Sequence, residues 1–396
     1  MRILLVAMSN SVHVARWISQ ISDQGWEVFL FPSIDNGRVH PDIKNVSVYH
    51  SLYSKRGNLS RSVKISGIPV GDKDLAFFLR MSIDRFFSNY RVLHLKHIIK
   101  RIKPDIIHTL EFQHAGYLAL SVKKIIKRGF PPWIATNWGS DIYLFGRLAD
   151  HEPKIRNILS ECSYYSCECE RDVCLAMTFG FKGKVLPVFP NAGGYHLDDV
   201  FCLRKPGTAS NRKIIMLKGY QNWHGRGMVG LRALERCADI LQGYEVIMYS
   251  VSDDVRFAAE LFQDSTKIKT TIIPNGTPHK EIMKLHGHAR ISIGLSISDG
   301  ISTSLLESIV MGSFPIQSWT SCADEWIDDG KTGILVPPND SDEIAKAIRR
   351  ALADDDLVDE ASIKNYKLAE EKLDSKIIKQ KAIDIYNRVY KENYRE

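Results

Sequence analysis

The chain has 396 residues, 44% of them hydrophobic and 25% charged, with a formal net charge of +7. That size suits two or three domains with sizeable cores and excludes a disordered chain. No apolar run approaches the length of a membrane span, and the N-terminal stretch MRILLVAM is too short for a secretory signal.

RILLVAM (2–8) reads as a strand that runs into the helix VARWISQISDQG, stopped at Gly25, and then into the strand WEVFLFPS. From Lys55 to Lys103 there are twelve Lys/Arg and three acids, Asp72, Asp74 and Asp84. Aromatics are interleaved with the basic residues in FFLRMSIDRFFSNYRVLHLKHIIKRIK. One reading is a face that meets anionic lipid headgroups or a phosphate-bearing acceptor. The other is a solvated helix whose Phe77, Phe78, Met81 and Phe86 turn to the core. No nucleic-acid motif accompanies the charge, so nucleic acid is not expected as a partner.

Further short apolar runs are DIIHTLEF (105–112), WIATNW (133–138), SYYSCECE (163–170) and KVLPVFPN (184–191). Separated by helical stretches, they suit a parallel sheet covered on both faces. His108 and Glu111 are expected at the carboxyl edge of one strand, Glu111 as an acceptor-side base. Cys162, Cys167, Cys169 and Cys174 cluster without a CxxC pair, so buried structural thiols are favoured over a metal site. Seven cysteines, an odd number, suggest reduced thiols, and the expected location is cytoplasmic, with peripheral attachment at the inner face of the cell membrane.

RKPGTASNR (204–212) lacks large apolar residues and reads as a linker. The strand–helix pattern then restarts with KIIML (213–217), the helix VGLRALERCADIL, and the strands YEVIMYS, KTTIIPN and ISIGLS (291–296). A helix over Asp342–Leu352 follows, and SKIIKQKAIDIYNRVYKE closes the chain as another. The expected division is a first domain over 1–203, a linker over 204–212 and a second domain over 213–375. A last helix over 376–396 would pack back on the first domain. The fold class is α/β, two Rossmann-like doubly wound domains facing a central cleft. Ligands of such sheets sit beyond the carboxyl ends of the strands.

The most informative stretch is SDGISTSLLESIVMGSFPIQS (298–318). Asp299 precedes a helix, Glu307 lies eight residues later within it, and Gly312 and Pro315 follow. Leu305, Leu306, Ile309 and Val310 share one helical face, which leaves Glu307 pointing elsewhere. Such a helix start offers free N–H groups and a positive dipole end to a diphosphate. Gly300 removes a side chain where a phosphate would approach, and Ser302 and Thr303 either cap the helix or bind phosphate oxygens. The bland alternative is that Asp299 and Ser302 are caps and Glu307 a solvated charge.

With this order of residues the chain resembles the retaining GT-B glycosyltransferases, specifically glycosyltransferase family four. That family carries acid-x7-acid, glycine and proline, then a loop with a glutamate and a glycine-rich turn. Here these are Asp299, Glu307, Gly312 and Pro315, then Glu325, Gly330 and Gly333 in ADEWIDDGKTGILVPPND. SNSVHVARWISQISDQGWEV resembles the family's opening strand–loop–helix, and TNWGSDI its TxHGxD segment.

The resemblance implies that Glu307 holds the donor's ribose and Asp299 contacts the transferred sugar. The amides of Ile301, Ser302, Thr303 and Ser304 would meet the diphosphate. Ser9, Asn10 and Ser11 would face the donor from the other domain, and Asp141 would line the acceptor or sugar side. Three departures stand out. Asp299 replaces the usual Glu, Trp138 stands where the family has His, and LKGYQNWHGRG places Arg226 about one residue from the expected lysine. Arg226 would take the diphosphate, with Lys218, next to Gly219, in reserve. His224 reads as a satisfied loop histidine. His13 and Arg16, at the first helix start, would bind acceptor or phosphate.

DKD (72–74) and DSD (340–342) have the Asp-x-Asp form used by metal-dependent transferases, but both look like solvated loops, and no metal or other cofactor is expected. The implied activity is transfer of a sugar from a UDP- or GDP-sugar to a hydroxyl of a glycan or lipid-linked acceptor. The setting would be cell-surface polysaccharide or lipopolysaccharide assembly. Alternatives are a GT-B-type nucleotide-sugar epimerase and a non-catalytic nucleotide-binding relative.

Overall fold

The computed structural model describes residues 1–54, 59–87 and 89–394. It divides into two units, Met1–Gly193 with Ile378–Glu396, and Gly194–Ile377.

In the first unit β1 (Arg2–Ala7), β2 (Glu27–Pro32), β3 (Ser47–Ser54) and β4 (Lys64–Val70) are joined by β5 (Ile106–Leu110), β6 (Trp133–Thr136), β7 (Tyr164–Ser166) and β8 (Lys184–Val185). The order is β4-β3-β2-β1-β5-β6-β7-β8, with every pair parallel. Along β1 the side chains alternate between two cores. Ile3, Leu5 and Ala7 pack on one face with Trp17 and the C-terminal helix, and Leu4 and Val6 on the other. That is why β1 is apolar at nearly every position, as a strand covered on both faces must be.

The helix Ser375–Tyr394 is anchored in this core from Ile378 onward. The Tyr386 hydroxyl accepts from Trp17 Nε1 at 2.9 Å and bonds to His108 Nδ1 at 2.6 Å. His108 Nε2 bonds in turn to Thr136 Oγ1 at 2.6 Å. His108 therefore lies inside β5, not at its carboxyl edge, and burial pulls its pKa down to about 3.

The second unit holds β9 (Ile214–Lys218), β10 (Glu245–Tyr249), β11 (Thr270–Ile272), β12 (Ala289–Gly294), β13 (Phe314–Ser318) and β14 (Ile334–Val336), in the order β11-β10-β9-β12-β13-β14. All its pairs are parallel. The order reverses at β1/β5 in the first unit and at β9/β12 in the second. These are the topological switch points where doubly wound sheets open a crevice at their carboxyl edge.

The structure departs from the sequence reading in five further places. The break between units falls at Gly193–Gly194, and 204–212 is packed into the second unit. Arg212 is 3% exposed and donates to the Ala289 and Gly312 carbonyls, while Asp359 accepts from the Ser210 amide and hydroxyl. SYYSCECE keeps only three strand residues, because Glu170 already starts the helix Glu170–Thr178, and Cys174 is exposed. In KVLPVFPN the strand stops at Val185, shortly before Pro187, which has no N–H for a ladder. Asp72 and Asp340 are helix N-caps, accepting from Asp74 and Leu75 amides and from Asp342 and Glu343 amides respectively. Finally, among the described residues of the helix Lys73–Phe86 the buried one is Ala76, while Phe78 is 67% exposed, Met81 56% and Phe86 75%. The core reading of those three is overturned. Lys55, Arg56 and the side chains of Lys73, Phe77 and Asp84 lie outside the described residues.

Tyr386→Phe would leave the Trp17 and His108 ring nitrogens without their buried partner. A loss of about 1–3 kcal/mol is expected for the first unit. Thermal unfolding checks this, and an unchanged melting temperature would contradict the anchoring role.

Candidate donor site at the β9/β12 switch point

Register brings the carboxyl ends of the central strands level. Lys218 at the end of β9 pairs with Tyr249 at the end of β10, and Leu217 with Ile293 of β12. The loop after β9 is pinned to the end of β12. The Arg226 amide donates to the Leu295 carbonyl at 3.2 Å, and the Ile297 amide to the His224 carbonyl at 2.9 Å. Gly227 permits this fold-back, since a Cβ there would stand 2.7 Å from the Gly219 oxygen.

Beyond β12 the chain turns through Ser298–Ser302 into the helix Thr303–Met311, which Gly312 ends at φ +69. Ser302 occupies the N-cap position, but its hydroxyl bonds to Ser304 Oγ at 2.7 Å rather than to a helix amide. Ser302 therefore makes no side-chain cap bond to this helix. Its first amides and the positive end of its dipole are thus left at the switch point. Gly300 and Ile301 are buried here, Thr303 is half-buried, and Asp299 Oδ1 accepts from the Gly300 amide at 3.0 Å.

Glu307 is 5% exposed. Its Oε1 accepts from His279 Nε2 at 2.7 Å, and its Oε2 lies at ion-pair distance, 3.5 Å, from His286 Nε2. Both histidines come from the helix His279–His288. His286 is held by Ser292 Oγ at 2.8 Å, which contacts Ser313 Oγ at 2.7 Å. Burial pushes the Glu307 carboxyl up, but His279 and His286 more than offset it and hold it at about 2. It is an ionised acceptor at neutral pH, not a solvated helix charge. Beside it, the Tyr249 hydroxyl lies against Ser304, is buried, and makes no hydrogen bond of good geometry among the described residues. Burial and then the Glu307 charge push that phenol well above its ordinary value.

Lys218, half-buried at the end of β9, is a cation on which these groups act. Its Nζ sits 4.6 Å from the Tyr220 ring centroid. Burial disfavours its charge, yet Tyr220, Asp299 and Glu307 outweigh burial and raise its pKa. Arg226 is otherwise engaged, with Nε on Asn339 Oδ1 at 2.7 Å and Nη1 on the Gly225 carbonyl at 2.8 Å. The Asp299 and Glu307 charges both act on Lys218. His224 is not satisfied as expected. Its buried Nδ1 has no partner among the described residues. Burial, then the charges of Lys218 and Arg226, lower it to about 4 and keep the ring neutral.

In the first unit the expected residues gather at the β1/β5 switch point, mostly with their polar atoms in use. Ser9 is buried with Oγ on the Arg38 carbonyl at 2.6 Å, and Ser11 Oγ caps the His13 amide at 3.2 Å. Asn10 is exposed. Arg16 is half-buried and His13 meets the Trp138 ring edge-on at 5.8 Å. Asp141 Oδ2 accepts from the Phe112 amide at 2.9 Å and the Trp138 amide at 2.8 Å. It therefore ties the loop after β5 to the loop after β6 and is a positioning residue. Burial and the Glu111 charge push its carboxyl well up. Glu111, at φ +85, accepts from the His114 and Ala115 amides. Burial raises its pKa as well, and two backbone bonds leave it a cap, not a free base.

Residues 254–368 match the family model "Glycosyl transferases group 1", and residues 76–164 match "Glycosyl transferase 4-like". No curated protein matches the sequence. Among solved structures, sucrose-phosphate synthase from Thermosynechococcus elongatus superposes with a TM-score of 0.71 at 14% identity, over 99% of this chain and 100% of that one. A glycosyltransferase from Rickettsia africae gives 0.68 at 15%, over 99% of both chains. Anabaena HepE, in complex with UDP, gives 0.67 at 12%, over 98% of this chain and 100% of that one. The chain has the GT-B fold. Together with the two matched segments, this supports a glycosyltransferase.

Glu307 ties the site to acid stability. Its folded pKa lies below the ordinary 4.5, so its contribution is present above pH 4.5 and is lost as pH falls towards about 2. That contribution is at most about 3 kcal/mol. Glu307→Gln is expected to flatten the pH dependence of unfolding across that window. A variant as acid-sensitive as the parent would contradict the clamp.

Proposed function

We propose that this GT-B protein is a retaining, metal-independent glycosyltransferase of family four. It would move a sugar from a nucleoside-diphosphate donor to a hydroxyl of a glycan or lipid-linked acceptor in cell-surface polysaccharide assembly. The observation that carries the reading is the convergence at one switch point of a helix start whose N-cap serine makes no cap bond, a half-buried lysine and an ionised buried glutamate. The helix amides from Ile301 to Ser304 and the Lys218 ammonium would take the leaving diphosphate, stabilising its charge as the glycosidic bond breaks. Glu307 would accept from ribose hydroxyls, and Asp299 would contact the transferred sugar. HepE is described with UDP and with UDP-glucose, which favours a uridine donor here.

The acceptor side is proposed to work at the cytoplasmic face of a membrane. The helix Lys73–Phe86 and its end expose Leu75, Phe78, Leu79, Met81, Phe86 and Phe87, alongside the exposed Arg85. An exposed apolar face beside a cation fits an anionic lipid surface, where a cation adds about 1 kcal/mol. Among the described residues, no helix is long and apolar enough to cross a membrane.

Two measurements check these readings. In donor turnover with UDP- and GDP-sugars, Glu307→Ala should lose at least tenfold in donor affinity. Unchanged affinity and rate would sink the ribose assignment, and a new sugar isomer formed from donor alone would favour an epimerase. In flotation with anionic vesicles, the parent should rise in a salt-sensitive way and Phe78→Ser/Phe86→Ser should stay behind. Equal flotation of both would contradict the membrane face.

A further inference from the structure

The second unit carries a cavity of about 680 Å³ at the opposite, amino edge of its sheet. It lies where the segment before β9 meets the helix Asp355–Lys372. Two arginines line it, and both reach the last turn of the 303–311 helix. Arg204 Nε donates to the Val310 carbonyl at 3.2 Å, and Arg212 Nη1 to the Gly312 carbonyl at 3.0 Å. The negative end of the helix dipole is their counter-charge. Among the described residues, neither has a carboxylate at ion-pair distance. Arg212 Nε, although buried, has no hydrogen-bond acceptor.

Arg204, half-buried, and Arg212, buried, stand side by side with no carboxylate at ion-pair distance among the described residues, although the Asp359 charge acts on Arg212. A buried charge normally finds a closely paired partner. Burial, then the charge of Arg212, lower Arg204 to about 10, so it stays cationic at neutral pH. The other charged lining groups do not balance them. Lys205 and Lys367 add two further cations against Asp359 and Glu370. Asp359 already spends both oxygens on Ser210.

The remaining wall is largely apolar. The Phe201 and Tyr366 rings lie 5.1 Å apart, and Arg204 Cζ is 4.6 Å from the Tyr366 centroid. Phe201 and Ile363 stand exposed on the rim. A concave apolar wall with a few convergent polar groups of one sign is the composition of a small-molecule site.

We propose that this cavity binds a small anion bearing a flat apolar group, an aryl phosphate or carboxylate. The anion would sit at Arg204, Arg212 and Lys205, and the ring against Phe201, Tyr366 and Ile363. Guanidinium suits both halves, since it pairs with oxyanions through its edge and stacks on rings through its face. The site is separate from the carboxyl edge and does not rest on the glycosyl-transfer reading.

The test is calorimetric titration of the full chain with 1-naphthyl phosphate. Saturable one-to-one binding is expected, at least tenfold tighter than 1-naphthol and than inorganic phosphate. Ile363→Asp and Lys205→Glu/Lys367→Glu alter residues outside the helix clamp, and each should weaken binding at least tenfold with an unchanged melting temperature. Glu307→Ala and excess UDP should leave it unchanged. The proposal is overturned by absence of saturable binding, by equal affinity for 1-naphthol or for phosphate, by full affinity in both rim variants, or by competition from UDP.

Discussion

The candidate site depends on one helix, 303–311, being held at its far end and left open at its near end. At the far end Arg204 and Arg212 take up the Val310 and Gly312 carbonyls. At the near end Ser302 and Ser304 bond to each other, and Ser302 makes no cap bond to the first amides. A helix start normally recruits a Ser, Thr, Asp or Asn cap worth about 1 kcal/mol. Here Ser302 is at the capping position and its hydroxyl is turned to Ser304. The forgone cap is the structural cost of leaving donors available to an anion.

The second constraint is the burial of Glu307. A lone carboxylate at that depth would take up a proton. Two histidines from a neighbouring helix keep it ionised, and a serine pair behind His286 fixes one of them. The ring of acceptors and donors around the β9/β12 edge is thus charged and prearranged: Glu307 ionised, Lys218 protonated and His224 neutral. Preorganised groups of this kind stabilise developing charge without reorganising during the reaction.

Much of the fold was legible because buried parallel strands read as apolar runs and the 291–318 stretch carries its own punctuation. The alternation of β1 side chains between two cores explains why RILLVA stood out at once. The short strands near Pro187 and Glu170 were overread, since alternation and apolarity do not reveal where a proline or a helix start ends a ladder. The 204–212 stretch misled for another reason. Composition records that Arg212 is polar but not that carbonyls of two other elements will receive it. His279, His286 and Tyr249 carry no local signal, because a parallel crossover brings them to Glu307 from distant positions. Glu111 and Asp141 were read as chemistry, whereas their oxygens are occupied by backbone amides, a role visible only once the loops after β5 and β6 are in place.

The central claim is that the open end of the 303–311 helix, with Lys218, is a diphosphate site. It is tested most directly by calorimetry of UDP and GDP against their own nucleosides, on the parent and on Lys218→Ala. The account predicts that at least one diphosphate binds tenfold or more tightly than its nucleoside, and that Lys218→Ala removes most of that advantage. Equal affinity of each diphosphate and its nucleoside for the parent chain would contradict it.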